Sequence, residues 1–460
     1  MSDLMFSFRS MFRKYVNSSF ILIFATLLAL VFANSSFGDT YFSIWKSPVH
    51  LQIGDFNLFG HNGEAMTLMD FINDFLMAIF FFSVGLEIKR EILVGELSSM
   101  KKALLPIIGA CGGMIVPVVI FSIFTHSGDG ARGCAIPMAT DIAFSLGVLS
   151  MFGKRVPTSL KIFLAALAVA DDLGGIIVIA LFYSSHIDLV YLLYAAVLVA
   201  VLIIGAYRNV RTKLFYCLIG VVIWYFFLNS GIHATIAGVV VAFCVPARPA
   251  TTSRKYIERI RENISLFPKT PEHTGEIHIL TNQQIALLKS VESASDHVIS
   301  PLQDLEDTLS PLISYYIIPL FAFANAGVNL AGMSVMNLFQ GVGLSVLLGL
   351  LVGKMIGIFS FSWIAIKLKI VAMPAGSNWK MFSGIAMLGG IGFTVSMFIA
   401  NLSYSALGAE GVVLLNDAKL GILAGSICAG TIGHIILSKY LPAANEVEQN
   451  IEEGQLVSEH

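Results

Sequence analysis

Apolar stretches of about twenty residues, parted by short polar or basic turns, recur along this chain from residue 17 to residue 438. Twelve can be laid out, at 17–34, 67–87, 103–125, 134–150, 158–183, 189–207, 213–228, 231–246, 308–329, 338–366, 381–403 and 412–438. At about 1.5 Å per residue, such stretches cross a hydrocarbon layer roughly 30 Å thick. A backbone in hydrocarbon must satisfy its own polar groups, so each is predicted as a helix. The predicted fold is an all-α polytopic membrane protein of about twelve transmembrane helices. Residues 1–246 hold helices one to eight and residues 308–440 hold helices nine to twelve. Between them, 247–307 is polar and carries both signs of charge, which predicts a cytoplasmic loop insertion. Within it Ile257, Ile260, Ile264 and Phe267 fall at helical spacing and predict one short amphipathic helix. Residues 441–460 are acidic (Glu446, Glu448, Glu452, Glu453, Glu459) and read as a solvated cytoplasmic tail. The basic start (Arg9, Arg13, Lys14) leads into an apolar run with no small-residue cleavage site, so the first stretch reads as a span rather than a signal peptide.

Composition narrows the class. Of 460 residues, 56% are hydrophobic and 13% charged, against about 25% charged in soluble chains. A soluble enzyme, a nucleic-acid binder and a disordered scaffold are excluded. The net charge of -2 matters less than where the charges sit. With the N-terminus inside, only Lys46 and Arg132 fall in outer segments, and Lys161, Lys354 and Lys419 fall within spans; every other Lys and Arg is inner. That asymmetry places both termini in the cytoplasm. Cys111, Cys134, Cys217, Cys244 and Cys428 lie scattered in apolar stretches and read as buried small hydrophobes.

Charges inside the spans carry the chemistry. Asp171 and Asp172 are adjacent, at the middle of the 158–183 stretch. Two carboxylates at that depth cost on the order of 5–7 kcal/mol, so a purely structural role is a poor explanation. They also resist joint ionisation, which describes a site where a small hard cation and protons compete. Asp141 follows Pro137 and Thr140, whose hydroxyl offers a further oxygen; a break there exposes helix ends that the carboxylate neutralises. Gly389, Gly390, Gly392 and Thr394 mark a matching interruption in the 381–403 stretch. Paired interruptions in the two halves of a chain point to a transporter site, although glycines also serve close helix packing. Lys354, deep in its span, needs a carboxylate or carbonyls, with Asp171 and the glycine break as its natural partners. Lys161 and Lys419 lie within two turns of helix ends and are expected to snorkel. Asp74 lies nearer the outer end of its span, and Glu87, Lys89, Arg90 and Glu91 crowd the inner end. His233, of a residue type that titrates near neutrality, opens a span and reads as a hydrogen-bonded interfacial histidine.

Seven runs together resemble the NhaA family of bacterial sodium/proton antiporters. They are Phe-Ile-Asn-Asp (71–74), Val-Gly-Leu-Glu-Ile-Lys-Arg-Glu (84–91), Ala-Thr-Asp-Ile-Ala-Phe (139–144), Ala-Asp-Asp-Leu-Gly (170–174), Gly-Ile-His-Ala-Thr-Ile-Ala-Gly (231–238), Pro-Leu-Phe-Ala-Phe-Ala-Asn-Ala-Gly-Val (319–328) and Gly-Ile-Gly-Phe-Thr (390–394). The resemblance implies inverted repeats with two discontinuous helices crossing at the midplane. It implies a pH-dependent, electrogenic antiporter of the cell inner membrane, exporting sodium or lithium, with two protons entering per sodium and no cofactor. By the same likeness Asp171, Asp172 and Thr140 form the cation and proton site, and Asp141 and Lys354 compensate the helix-end dipoles. Asp74 is the outer acidic residue, while Glu87, Arg90, Glu91, His233 and Glu306 belong to pH sensing. A homodimer through an outer hairpin, here 42–57, is also implied. The chain departs from the family in its long 247–307 loop, and in Asp307 and Ser310 where sensor histidines are expected. Two other classes fit parts of the pattern. A cation channel wants a ring of ligands from several subunits. An intramembrane aspartyl protease wants two aspartates facing one water, whereas adjacent residues point about 100° apart around a helix.

Overall fold

The computed structural model describes residues 18–53, 56–61, 64–126, 128–183, 187–248, 253–266, 281–329 and 338–442. Helices form where the apolar stretches lie, and short polar side chains set where several of them begin. Thr67 and Asp70 make a reciprocal capping box at the start of α3 (Leu68–Leu93). Ser300 Oγ accepts the Gln303 amide at 3.2 Å, and Pro301 follows it at the first helical position. Asn378 Oδ1 likewise accepts the Met381 amide at 2.8 Å.

In chain order the helices are α1 (Ser18–Ala33), α2 (Gly38–Trp45), α3, α4 (Met100–Phe124), α5 (Ile142–Ser150), α6 (Thr158–Phe182), α7 (Leu189–Tyr207), α8 (Lys213–Ser230), α9 (Ala234–Cys244), α10 (Ser253–Ser265), α11 (Asn282–Val298), α12 (Pro301–Asn325), α13 (Gly341–Lys367), α14 (Trp379–Leu388), α15 (Phe393–Tyr404) and α16 (Gly408–Tyr440). A 3-10 helix, Asp129–Met138, precedes α5. Two antiparallel ladders of two residues per strand, Gln52–Ile53 with Phe56–Asn57 and Gly60–His61 with Glu64–Ala65, lie between α2 and α3.

Among the described residues nine helical stretches are long and apolar enough to cross a membrane, or ten if α1 and α2 count as one bent span. Twelve stretches were expected; the fourth is interrupted at 139–141, and three others do not stand as separate long helices. The first ends at Ala33 and turns by 115° into α2. The eighth shortens to α9, because Gly231 closes α8 in the left-handed conformation (φ 80°) and α9 begins only at Ala234. The eleventh splits into α14 and α15, and α15 runs on into α16.

Two corrections concern the 247–307 insertion. It holds two described helices, α10 and α11, rather than one. Its C-terminal boundary moves back to Ser300, so Glu306 and Asp307 sit on a spanning helix and not in a loop. Phe267, the stem Arg9–Lys14 and the acidic tail beyond residue 442 lie outside the described residues.

α4 and α13 pack face to face. A Cβ on Gly112 would collide with the Gly357 carbonyl, one on Gly357 with that of Gly112, and Gly353 sits against Pro117. The small residues let the two backbones touch. One large core runs through α3, α4, α6, α13, α14 and α15, and a second joins one face of α3 to α7, α8 and α9. Away from these cores the apolar side chains face outward: Leu193 on α7 is 63% exposed and Ile204 58%. A helix with that surface is stable only in hydrocarbon. The protein is a multi-pass, helical membrane protein.

Candidate functional site

The chain leaves helical geometry at 139–141 and again at 389–392, and hydrogen bonds join these breaks. The Asp141 amide donates to the Ile391 carbonyl at 2.6 Å, and Thr140 Oγ1 lies 2.9 Å from the Gly389 carbonyl as a donor. Ser145, the fourth residue of α5, donates to the Leu388 carbonyl at the end of α14 (3.0 Å). Ser396, the fourth residue of α15, donates to the Ile136 carbonyl near the end of the 3-10 helix (2.8 Å). Each second half-helix thus supplies one hydroxyl to the carbonyl end of the other's first half.

Asp141 serves both helix starts. Its Oδ1 accepts the Phe144 amide at 3.0 Å, and its Oδ2 accepts the Thr394 amide at 3.1 Å and the Thr394 hydroxyl at 2.5 Å. One buried carboxylate therefore caps α5 and α15 together, where both dipoles present their positive ends. Gly392 lies tightly beneath this junction, against the Ala139 carbonyl and the Ser396 hydroxyl.

Asp171 and Asp172 sit on adjacent faces of α6, and their surroundings differ. Asp171 forms a buried ion pair with Lys354, whose Nζ also donates to Thr140 Oγ1 at 2.9 Å. Thr140 Oγ1 lies 2.6 Å from the same Asp171 oxygen. The other oxygen of Asp171, Oδ1, is buried and has no hydrogen-bond partner. Lys354 and Thr140 are fully buried. Lys354 follows a π-helical turn, Gly349–Gly353, which displaces its side chain from the regular α-helical track. Contact between Lys354 and the glycine break runs through Thr140.

Asp172 instead lines a cavity of about 410 Å³ together with Glu87, Thr140, Asp141 and Thr394. Hydroxyls of Ser18, Ser19, Ser83, Ser310 and Ser314 line the same space. Apolar side chains such as Phe80, Val84, Leu146 and Ile313 make up much of the remaining wall, so a cation entering the cavity finds its charged oxygen ligands in the carboxylates of Asp172, Asp141 and Glu87. Carboxylate and hydroxyl oxygens are hard ligands that suit a small, hard cation.

Behind Glu87, Arg90 Nε lies 3.0 Å from both carboxylate oxygens of Glu306, and Arg90 also pairs with Glu91 at 2.8 Å. The four residues of the expected sensing cluster are thus together. His233 is not among them. It lies by the other end of α3, with Nδ1 4.0 Å from Asp74 Oδ1 and without a hydrogen-bond partner on that nitrogen. Asp74 belongs to a π-helical turn, Phe71–Leu76, and shares with His233, Asp70 and Tyr183 a second cavity of about 380 Å³. Thirteen residues of helix separate Asp74 from Glu87, about 20 Å. Between the two cavities the buried rings of Phe81, Phe321 and Phe398 pack together, Phe81 and Phe398 at 5.4 Å between centroids.

Lys161 reaches back to the Gly153 carbonyl at 2.8 Å, toward its helix end as expected. Lys419 does not snorkel. α16 begins at Gly408, earlier than the hydropathy suggests, so Lys419 lies about three turns inside it and is 6% exposed. The sequence reading also passed over a buried asparagine chain. Asn401 Nδ2 donates to Asn325 Oδ1 (2.8 Å), and Asn325 Nδ2 donates to Asn73 Oδ1 (2.9 Å), joining α15, α12 and the π turn of α3. Three amides within apolar stretches were the available signal.

Comparison with known proteins agrees with this geometry. The model of the family described as Na+/H+ antiporter 1 matches residues 9–437. The chain is 54% identical to a protein of Phocaeicola vulgatus over 96% of this chain and 97% of that one. It is 56% identical to one of Bacteroides fragilis, over 93% and 96%. It is 45% identical to one of Helicobacter pylori, over 90% and 91%. Each of the three bears the name Na+/H+ antiporter NhaA.

Proposed function

Because the chain belongs to the Na+/H+ antiporter 1 family, we propose that it exports sodium, and lithium in its place, in exchange for protons. The family consists of transporters rather than enzymes, and the ions are substrates that call for no cofactor. One observation carries the reading: Asp172 opens to a cavity while its neighbour Asp171 is held by Lys354, at the junction of two broken helices.

The proposed cycle uses those groups in order. Sodium enters the cavity past Glu87, and Asp172 gives up its proton to receive it. The free Oδ1 of Asp171 and the Thr140 hydroxyl complete the oxygen set. Lys354, losing its partner to the cation, releases the second proton. Asp141 stays in place as the countercharge for two helix starts, so the breaks keep their shape as the site changes charge. The aromatic plug of Phe81, Phe321 and Phe398 bars sodium from the Asp74–His233 cavity until a rearrangement opens that side. Two protons per sodium make the cycle electrogenic.

The finer topology belongs to the same proposal. Counting α1, α9 and the split α14–α15 as spans restores twelve. The reciprocal Ser145 and Ser396 contacts are what two inverted repeats would place at their crossing. Both termini and α10–α11 then lie in the cytoplasm, and the segment 42–57 lies outside, where it can join two copies. The Glu87–Arg90–Glu91–Glu306 group stands at the cytoplasmic mouth, and protonation of its carboxylates would loosen the Arg90 contacts. That supports pH control.

The test is an acridine-dye assay on everted membrane vesicles. Sodium added outside vesicles with an acidified interior should discharge the pH gradient where the protein is present and leave it intact where it is absent. A protein that passes sodium down its gradient without moving protons would be a channel, and the reading would fall.

A further inference from the structure

The insertion carrying α10 and α11 plays no part in the ion site, and its surface has a pattern of its own. At about 100° per residue, Tyr256, Ile257, Ile260 and Ile264 share one stripe of α10, with Glu258 and Glu262 opposite. Arg261 stands at one flank of the stripe. The sequence adds Arg254 to that flank and Arg259 to the other, with Lys255 beside Glu262 on the polar face. α11 covers only part of the stripe. Tyr256 and Ile260 are half-buried, and Asn263 Nδ2 donates to Ser290 Oγ at 3.0 Å. Ile257 remains 41% exposed and Ile264 60%, and Leu266, Ile285 and Leu288 are exposed beside them. α10 packs on α11 rather than on the bundle.

Apolar residues flanked by arginines, with the acids at the far pole, suit a helix lying at the boundary of an anionic bilayer. The attachment keeps the pair near that boundary. Only Ile299 and Ser300 link α11 to the spanning helix α12, and the Leu302 amide donates to the Pro246 carbonyl at 3.3 Å. Both ends of the insertion are therefore tied together at one end of the bundle. We propose that α10 docks on anionic phospholipid headgroups of the adjoining leaflet, with Ile257 and Ile264 at the acyl boundary and Arg261 among the phosphates. The inference rests on the membrane topology above and is independent of which ion is carried.

The test uses the full chain with its cysteines replaced by serine and an environment-sensitive fluorophore on Ile264→Cys. It is reconstituted singly in nanodiscs of phosphatidylethanolamine with phosphatidylglycerol, or of phosphatidylcholine alone. Docking predicts a blue shift and severalfold stronger quenching by headgroup nitroxides in the anionic discs. Potassium chloride at about 1 M, where the Debye length falls to about 3 Å, should reverse both, and so should Arg254→Glu with Arg261→Glu. Solvent-like emission in anionic discs at low salt would overturn the proposal, as would equal quenching in both lipids. A shift seen only with two copies per disc, or only after adding soluble protein, would overturn it in favour of a protein partner. Thiol labelling of the same variant in sealed right-side-out vesicles separates the two readings: modification from outside would sink the assumed topology instead.

Discussion

Asp171 and Asp172 are chemically identical and adjacent, yet the helix turns them about 100° apart, into different surroundings. One faces an ammonium and a hydroxyl, the other a cavity. Asp172→Asn should therefore abolish exchange while the protein still inserts, because an amide neither releases a proton nor offers sodium a full charge. Near-normal sodium-driven proton flux in vesicles bearing Asp172→Asn would refute the assignment. Asp141 supports a different expectation, about stability. Asp141→Ala strips the cap from two helices and leaves the Phe144 and Thr394 amides without their side-chain partner, for a loss on the order of 2–4 kcal/mol. Asp141→Asn keeps an accepting oxygen and should lose less than half of that. Unfolding in detergent, followed by near-ultraviolet circular dichroism, distinguishes the two variants. These residues were legible in the sequence because a charge in an apolar stretch is conspicuous whatever the fold. Lys419 was visible on the same ground but misplaced, since its depth depends on a helix start that hydropathy blurs. Asn73, Asn325 and Asn401 went unread, because a neutral amide becomes informative only when its partners are known.

Elements position those residues, and the tightest contact does most of it. Gly112 and Gly357 bring α4 and α13 to backbone contact one turn from Lys354. Gly357→Val would push the helices apart and draw the ammonium away from Asp171, so both exchange and thermal stability should fall sharply. Gly175→Ala is the control: nothing lies within 4 Å of the new methyl, and it should behave as wild type. If both substitutions were equally harmless, close packing would not be what places Lys354. Hydropathy located nearly every helix, because apolar length is a property of the sequence alone. It joined what the backbone breaks: by hydropathy 381–403 is one apolar run, and its glycines, not its hydropathy, mark the interruption between α14 and α15. The reverse error occurred at Ser300, where Ser-Pro before a Gln three residues on was a readable helix start. The insertion lies apart from all this. Removing 252–295 should spare exchange and at most move its pH profile; loss of turnover in a correctly inserted deletion variant would make α10 and α11 part of the transport machinery.

At the scale of the whole molecule the question is how much charge crosses the membrane per cycle. The proposed exchange of two protons for one sodium would move one net charge, worth roughly 2.3 kcal/mol at 100 mV, so that the membrane potential would add to the proton gradient in driving export. Two protons require two titrating groups. The buried pair offers only one carboxylate open to the cavity, because Asp171 is already engaged by Lys354. That arrangement favours Asp172 and Lys354 as the two carriers. The ammonium is stable in the interior while Asp171 is its partner, and it must shed its proton when sodium takes the carboxylates, since an unpaired buried charge is strongly disfavoured. A neutral side chain at position 354 removes that second proton and nothing else from the stoichiometry. Lys354→Gln, if it folds and transports, should then exchange one proton for one sodium and become indifferent to voltage. The measurement is sodium-driven proton flux in proteoliposomes with the potential clamped by potassium and valinomycin. Wild-type flux should follow the clamp and the variant's should not. A Lys354→Gln carrier that still followed the potential would move both protons onto the aspartates and leave Lys354 as their fixed countercharge.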